Sequence, residues 1–267
     1  MKNIIINADC FKILPLIIDN SIDCIICDLP YGMTGNKWDV RLNLEILWKH
    51  YNRIIKDDGV IVLFSSQPFT SILLLSNINM FRFEIIWEKS RGSNFIHSKF
   101  QPLKCHENIL IFAKKPAVYN KKENNNMKYN PQMSDGASYD KGIVTNDSKN
   151  LIGTYKEFKG ENKSGKRFPR SVQYISSDSN GRYRGINPTQ KPVALLEYLI
   201  KTFSNDGDLI LDNTAGSMSL AVACDNTNRN WICIERDEIQ CEMGLKWVNE
   251  NRRKLNKNET FIGKILV

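Results

Sequence analysis

One glycine-bearing turn near the C-terminus joins two segments that together could hold a sugar. "LILDNTAGSMSLAVAC" reads as strand, turn and helix, and the following "NWICIE" reads as a strand ending in Glu235. A carboxylate at a strand end can accept hydrogen bonds from two adjacent hydroxyls at once, which is the chemistry of gripping a ribose. The step from Gly216 to Glu235 is close to the ~20-residue spacing at which a doubly wound sheet sets an acid on a ribose. The turn glycine lets a ligand approach the backbone. A dinucleotide site would carry G-x-G-x-x-G to seat a pyrophosphate, whereas this turn has a single glycine. The segment reads either as a site for a nucleoside-containing cofactor without phosphates or as ordinary sheet connections.

A second cluster lies near the N-terminus. The apolar run "IDCII" reads as a buried strand, and it opens into "CDLPYG". Asp28, Leu29, Pro30 and Tyr31 thus set an acid, a proline and an aromatic ring at the mouth of a strand.

The elements that must position these residues alternate along the chain. "NIII", "SIDCIICD", "VIVLFSS", "FRFEIIWEK" and "HENILIFAK" read as strands. "FKILPLI" and "PFTSILLLSNI" read as helices between them. "LNLEILWKHYNRIIKDDG" spaces Leu44, Leu47, Trp48, Tyr51, Ile54 and Ile55 as one helix face, with Gly59 as its stop. After residue 187 the same texture resumes. "KPVALLEYLIKTFS" is a helix with Pro192 in its first turn, "DLILD" a strand, and "DEIQCEMGLKWVNENRRKL" a long closing helix. The alternation argues a mostly parallel sheet with helices on both faces.

Composition bounds the rest. The 267 residues suit one large α/β domain, or one domain with a small insert, and 42% hydrophobic content supplies a core. No run nears the ~18 apolar residues of a membrane helix, and "MKNIIINADC" lacks the long apolar stretch of a secretory signal. The seven cysteines have no framework spacing. Cys24 and Cys27 form the one C-x-x-C, but inside a strand they point to opposite faces and make a poor metal pair. Reduced cysteines of a cytoplasmic protein, most of them packed in the core, are expected. The net charge is +8, and segment 113–184 carries 15 Lys+Arg against 7 Asp+Glu, so it holds the whole surplus. A local surplus suits either a polyanionic partner or a solvated loop.

The motifs taken together resemble the amino-methyltransferases that act on DNA bases. "DLPYG" resembles their (D/N/S)-P-P-(Y/F/W) motif and "LDNTAGSMS" their D-P-F-x-G-S-G-T-T loop. "NPTQKP" is similar to H-P-T-x-K-P, "YGMTGNKWD" to the loop that follows the tetrad, and "HENILIFAKK" to the strand closing the catalytic half. Catalytic motif, basic insert, then cofactor motifs is the order of the β class, a circular rearrangement of the Rossmann-like methyltransferase fold. The resemblance implies a catalytic half at 1–112, a target-recognition insert at 113–184 and a cofactor-binding half at 185–267.

It also implies roles. S-adenosylmethionine is the cofactor, with Glu235 on its ribose and Asp9 at its adenine end. Asp212, Gly216, Ser217 and Ser219 shape the turn around it, and Thr189 and Lys191 serve its methionine end. Asp28 and the carbonyl of Leu29 accept the two hydrogens of an exocyclic amine. That favours a more tetrahedral nitrogen and frees its lone pair for in-line transfer. Pro30 stiffens the turn and Tyr31 stacks on a flipped base. Asp in the first position resembles the N6-adenine enzymes. An N4-cytosine enzyme, an RNA methyltransferase and a DNA-binding protein on a decayed scaffold are the rivals. The implied partner is double-stranded DNA, met by Lys37, Trp38, Lys163, Lys166, Arg167 and Arg170. A homodimer and a separate restriction endonuclease are further partners that the resemblance leaves open. Three departures stand out: Leu29 for the first proline, Asn187 for histidine, and Met218 for the second glycine of the cofactor loop. Met218 is expected either to crowd the cofactor or to demand another backbone path.

Overall fold

A computed structural model describes residues 2–36, 38–118, 125–145, 157–177 and 189–263. The chain begins with β1 (Ile4–Asn7), α1 (Cys10–Ile13) and β2 (Ile22–Cys27). Next come α2 (Leu44–Ile54), β3 (Ile55–Ser65), α3 (Phe69–Ser76), β4 (Phe81–Ser93) and β5 (Lys104–Ala113). Four short strands follow: β6 (Ser134–Asp135), β7 (Tyr139–Thr145), β8 (Glu157–Asn162) and β9 (Lys166–Arg167). The last part holds β10 (Val172–Tyr174), α4 (Val193–Phe203), β11 (Leu209–Asp212), α5 (Ser219–Asn226), β12 (Asn230–Glu235), α6 (Glu238–Lys254) and β13 (Ile262–Gly263).

These form two compact units, Met1–Asn130 with Ser171–Val267, and Pro131–Arg170. In the larger unit, nine strands among the described residues lie in the order β10-β4-β5-β3-β2-β11-β12-β1-β13. β5 is antiparallel to both of its neighbours, and every other pairing is parallel. Strand periodicity sorts the side chains of β2 onto two cores. Cys24 and Ile26 join one core with α4, α5 and α6, while Ile25 and Cys27 join the other with α1, α2 and α3. The two cysteines of the C-x-x-C therefore sit on opposite faces of the sheet, both buried as free thiols.

Two sequence expectations are corrected here. The helical face of α2 ends at Ile54, and Ile55 turns extended to pair with Ile22. Gly59 lies inside β3 and stops no helix. A Cβ on Gly59 would sit 2.9 Å from the carbonyl oxygen of Asp23, so the glycine permits a close strand approach at the bulge. Pro192 stands before α4 as its N-cap, in an extended conformation, and not within the first turn.

The smaller unit pairs β6 with β9 and β7 with β8, both antiparallel. It is narrower than the basic segment 113–184. Met127 packs in the larger unit's core, β10 adds a strand beside β4, and Lys128 pairs with Asp23 and Asp208 at 2.7 and 2.9 Å. Part of the basic surplus is therefore spent on internal ion pairs.

Candidate active site

The parallel strands β1, β12, β11 and β2 are neighbours, and each is followed or closed at its C-terminal end by an acid. Asp9 follows β1, Glu235 closes β12, Asp212 closes β11 and Asp28 follows β2. Ligands of open α/β sheets bind outside these carboxyl ends, where loops leave the sheet and backbone groups are free. Four acids spread over more than 200 residues of sequence thus reach one edge.

β2 delivers Asp28, and Leu29 anchors the exit by burying its side chain against the α1–α3 core. The side chain that replaces a proline serves here as a packing group. The ring of Tyr31 stacks on Phe69 with centroids 5.1 Å apart, and its hydroxyl donates to Asp28 Oδ1 at 2.9 Å. The hydroxyl of Thr214 donates to the backbone carbonyl of Asp28 at 3.1 Å. Lys191, buried just ahead of α4, puts its ammonium on Asp28 Oδ2 and 3.4 Å from Glu107 Oε2. Lys89 pairs with the other oxygen of Glu107. The Asp28 side chain keeps 26% of its surface open, which leaves a substrate access to it.

Burial raises the Asp28 carboxyl above the ordinary carboxylate range, with Lys191 opposing and Glu107 adding to the rise. Burial works against the Lys191 ammonium, but Asp28 and Glu107 outweigh it and hold its pKa above the usual lysine value. Lys191 was expected at the methionine end of a cofactor, and its ammonium lies on Asp28. Its neighbour Thr189 turns a carbonyl toward the same ammonium at 3.5 Å. Glu107 and Thr214 were missed by the sequence reading. Both lie in motifs that were recognised, but only the folded chain sets them beside Asp28.

At the end of β11, Asp212 Oδ1 accepts from the Thr214 amide at 3.0 Å. Burial pushes the Asp212 carboxyl up to about 7, against the lowering effect of that amide. Gly216 takes φ +50° and donates its amide to Glu235 Oε2 at 2.8 Å, while Glu235 Oε1 accepts from Asp237 at 2.9 Å. The acid predicted to hold a ribose therefore already reaches the glycine turn, and each oxygen keeps a further lone pair. Ser217 and Ser219 are buried at the head of α5. Asp9 is exposed and caps α1 through Phe11 at 2.8 Å.

Met218 is the third departure. It takes φ +65°, a left-handed conformation suited to the glycine it replaces, and its side chain is wholly buried. It packs against Gly244 of α6, where an added Cβ would lie 2.3 Å from Met218 Cγ. The bulk of Met218 is directed into the space that Gly244 leaves.

The loop after Tyr31 is closed by an acid that the sequence reading did not single out. Asp39 accepts from the amides of Gly32, Met33 and Thr34 at 2.8, 2.9 and 2.7 Å. Burial alone would raise the Asp39 carboxyl, but these donors outweigh it and hold it below the ordinary carboxylate range. Trp38 is 44% exposed beside it, and its carbonyl accepts from Arg236 at 3.1 Å. Lys37 and Asn187 lie outside the described residues.

The remaining candidates fall in the smaller unit. Lys163 and Arg170 are exposed, with Lys163 3.7 Å from Glu161. Lys166 pairs with Asp135 at 2.5 Å. Arg167 donates to the carbonyl of Ala137 and covers the ring of Tyr139 at 4.9 Å, so its guanidinium also holds this unit's own loops.

A family model described as DNA methylase matches residues 22–262. The chain belongs to the N6/N4 DNA methylase family. It is a DNA methyltransferase that uses S-adenosylmethionine. The methylase is 26% identical over 253 residues to the DNA adenine methyltransferase YhdJ of Escherichia coli strain K12, covering 91% of this chain and 81% of that one. It is similar in fold to M1.HpyAVI solved as a complex with SAM, at a TM-score of 0.60, 23% identity and coverage of 92% and 98%. It is similar in fold also to the cytosine-N4-specific PvuII DNA methyltransferase, at a TM-score of 0.62, 16% identity and coverage of 96% and 93%. The strand-end acids, the left-handed turn at Gly216 and the doubly accepting Glu235 fit a nucleoside-bearing cofactor. No helix among the described residues of the methylase is long and apolar enough to cross a membrane.

Proposed function

We propose that this methylase transfers a methyl group to the exocyclic N6 amine of an adenine flipped out of duplex DNA. The observation that carries the reading is Asp28: a partly open carboxylate, buttressed by Tyr31 and Lys191 and tied through Thr214 to the cofactor turn. Asp28 and the Leu29 carbonyl accept the two amine hydrogens, and the nitrogen lone pair is freed toward the donor. Bound S-adenosylmethionine supplies an electrophilic methyl on sulfur. The proton lost by the methylated amine passes to Asp28, whose raised pKa suits it to take one. Lys191, held against Glu107, keeps the carboxylate oriented and ionised beforehand. Tyr31, backed by Phe69, offers its remaining face to the flipped base.

Glu235 holds the ribose, Asp9 the adenine end, and Asp212, Gly216, Ser217 and Ser219 form the turn, with Thr189 near the methionine end. The insert at 113–184 reads the target through Lys163, Lys166, Arg167 and Arg170, with Lys37 and Trp38 on the loop behind the catalytic tetrad. A homodimer and a separate restriction endonuclease complete the set of partners. Asp at the first position of "DLPYG" and the similarity to an enzyme named for adenine support N6 over N4. The shared fold with a cytosine-N4 enzyme does not choose between them.

The test is transfer of a labelled methyl group to unmethylated duplex DNA, then digestion to nucleosides. Label in N6-methyladenine is the expected result. Label in N4-methylcytosine moves the target and keeps the mechanism; no label sinks the assignment.

A further inference from the structure

β4 and β5 make an antiparallel hairpin whose base belongs to the active site. Lys89 on β4 pairs with Glu107 on β5, and Glu107 stands 3.4 Å from the lysine that holds Asp28. From there the strands run outward to the pairing of Ser93 with Lys104, about 10 Å further on at ~3.3 Å per residue. The tip beyond them has an unusual surface. Phe95, Ile96 and Phe100 are 67%, 90% and 86% exposed. From Lys89 to His106 inclusive the chain carries four Lys or Arg and two His and no acid.

We propose that this tip, residues 91–104, docks on the substrate duplex beside the target base. The proposal rests on duplex DNA being the substrate. Arg91, Lys99 and Lys104 meet phosphates, and an apolar side chain, Ile96 or a flanking phenylalanine, wedges into the stack that base flipping opens. Flipping unstacks the target base, and inserted apolar wedges fill the gap at a kinked or opened step. Charge chooses the occupant. A second copy of this chain seated tip to tip would bring two acid-free basic surfaces together, whereas a polyanion with stacked apolar faces complements both features.

The experiment places a photoreactive benzophenone side chain at position 96 or 100 of the full chain and irradiates it with unmethylated duplex DNA. A DNA adduct that fades as salt rises is expected. An adduct to a second copy of the chain, or no DNA adduct, overturns the proposal. In parallel, Phe95→Ser, Ile96→Ser and Phe100→Ser are combined. All three side chains are exposed, so the unfolding temperature should hold, while methyl transfer to duplex DNA falls roughly tenfold or more. Unchanged transfer by this variant also overturns the wedge. Crosslinking reads docking independently of methyl transfer. A wild-type chain that crosslinks without methylating keeps the surface and loses the assigned reaction; one that methylates without crosslinking does the reverse.

Discussion

The hydroxyl of Thr214 donates to the carbonyl of Asp28 at 3.1 Å, joining two residues 186 positions apart. It is a direct tie between the turn that would hold the methyl donor and the acid that would receive the acceptor amine. In-line transfer depends on sub-ångström placement of both halves, so this bond should matter to rate more than to folding.

Thr214→Val keeps the shape and removes the donor. Steady-state methyl transfer should fall about fivefold or more in kcat, in line with ~1 kcal/mol for one neutral hydrogen bond. Thr214→Ser should recover most of it. A valine variant with full kcat would show the tie to be incidental.

Asp28→Ala should lower methyl transfer by at least ~100-fold while duplex binding, read by fluorescence anisotropy, survives. Retained transfer would remove the assigned mechanism. The acid must be ionised to accept, and its pKa is raised, so activity is present at high pH and lost as pH falls, sooner than for an ordinary carboxylate. Lys191→Met takes away the opposing charge. The acid limb of the pH–rate profile should then move to higher pH, and a limb that stays put would count against the pairing.

Asp212 gives a stability prediction with a definite sign. Its pKa is about 7 when folded against an ordinary 3.8, so the folded chain holds a proton that the unfolded chain has lost. Stability without cofactor should therefore drop as pH rises from about 4 to about 7. Asp212→Asn removes that penalty. It should be more stable than the parent at pH 8, by up to roughly 4 kcal/mol, and no more stable at pH 4. Urea unfolding at the two pH values decides it, and equal differences at both would contradict the origin in burial.

Met218 and Gly244 should behave as one unit. Gly244→Ala forces a Cβ to 2.3 Å from the Met218 side chain and should cost about 1–3 kcal/mol. Met218→Gly fits φ +65° but leaves a cavity. The double variant should be more stable than the sum of the two losses allows. Strict additivity in a double-mutant cycle would deny the contact.

Asp39→Ala should loosen the loop that carries Trp38, because three amides lose their shared acceptor. The tryptophan's fluorescence should become more accessible to quencher, and the wild type should show the same change as pH falls through the depressed Asp39 pKa. An unaltered quenching curve in the variant would detach the acid from loop order.

Much of this protein was legible without coordinates, because the features involved are local. Strand and helix periods, the glycine turn before α5 and the strand-end acids are written within windows of ten to twenty residues, and β12 and α6 lie where the pattern sets them. The order of the motifs likewise named the family. Where local signals competed, tertiary structure decided. Ile55 fits a helix face by spacing, yet pairing with Ile22 takes it into β3. Met218 reads as an obstruction until Gly244, on another helix, is seen to make room. The pairing of Lys191 with Asp28 and Glu107 spans 163 and 84 positions, and no periodicity encodes it. Which side chains meet across such separations depends on strand order and register, and those are settled only when the whole sheet closes on its two cores.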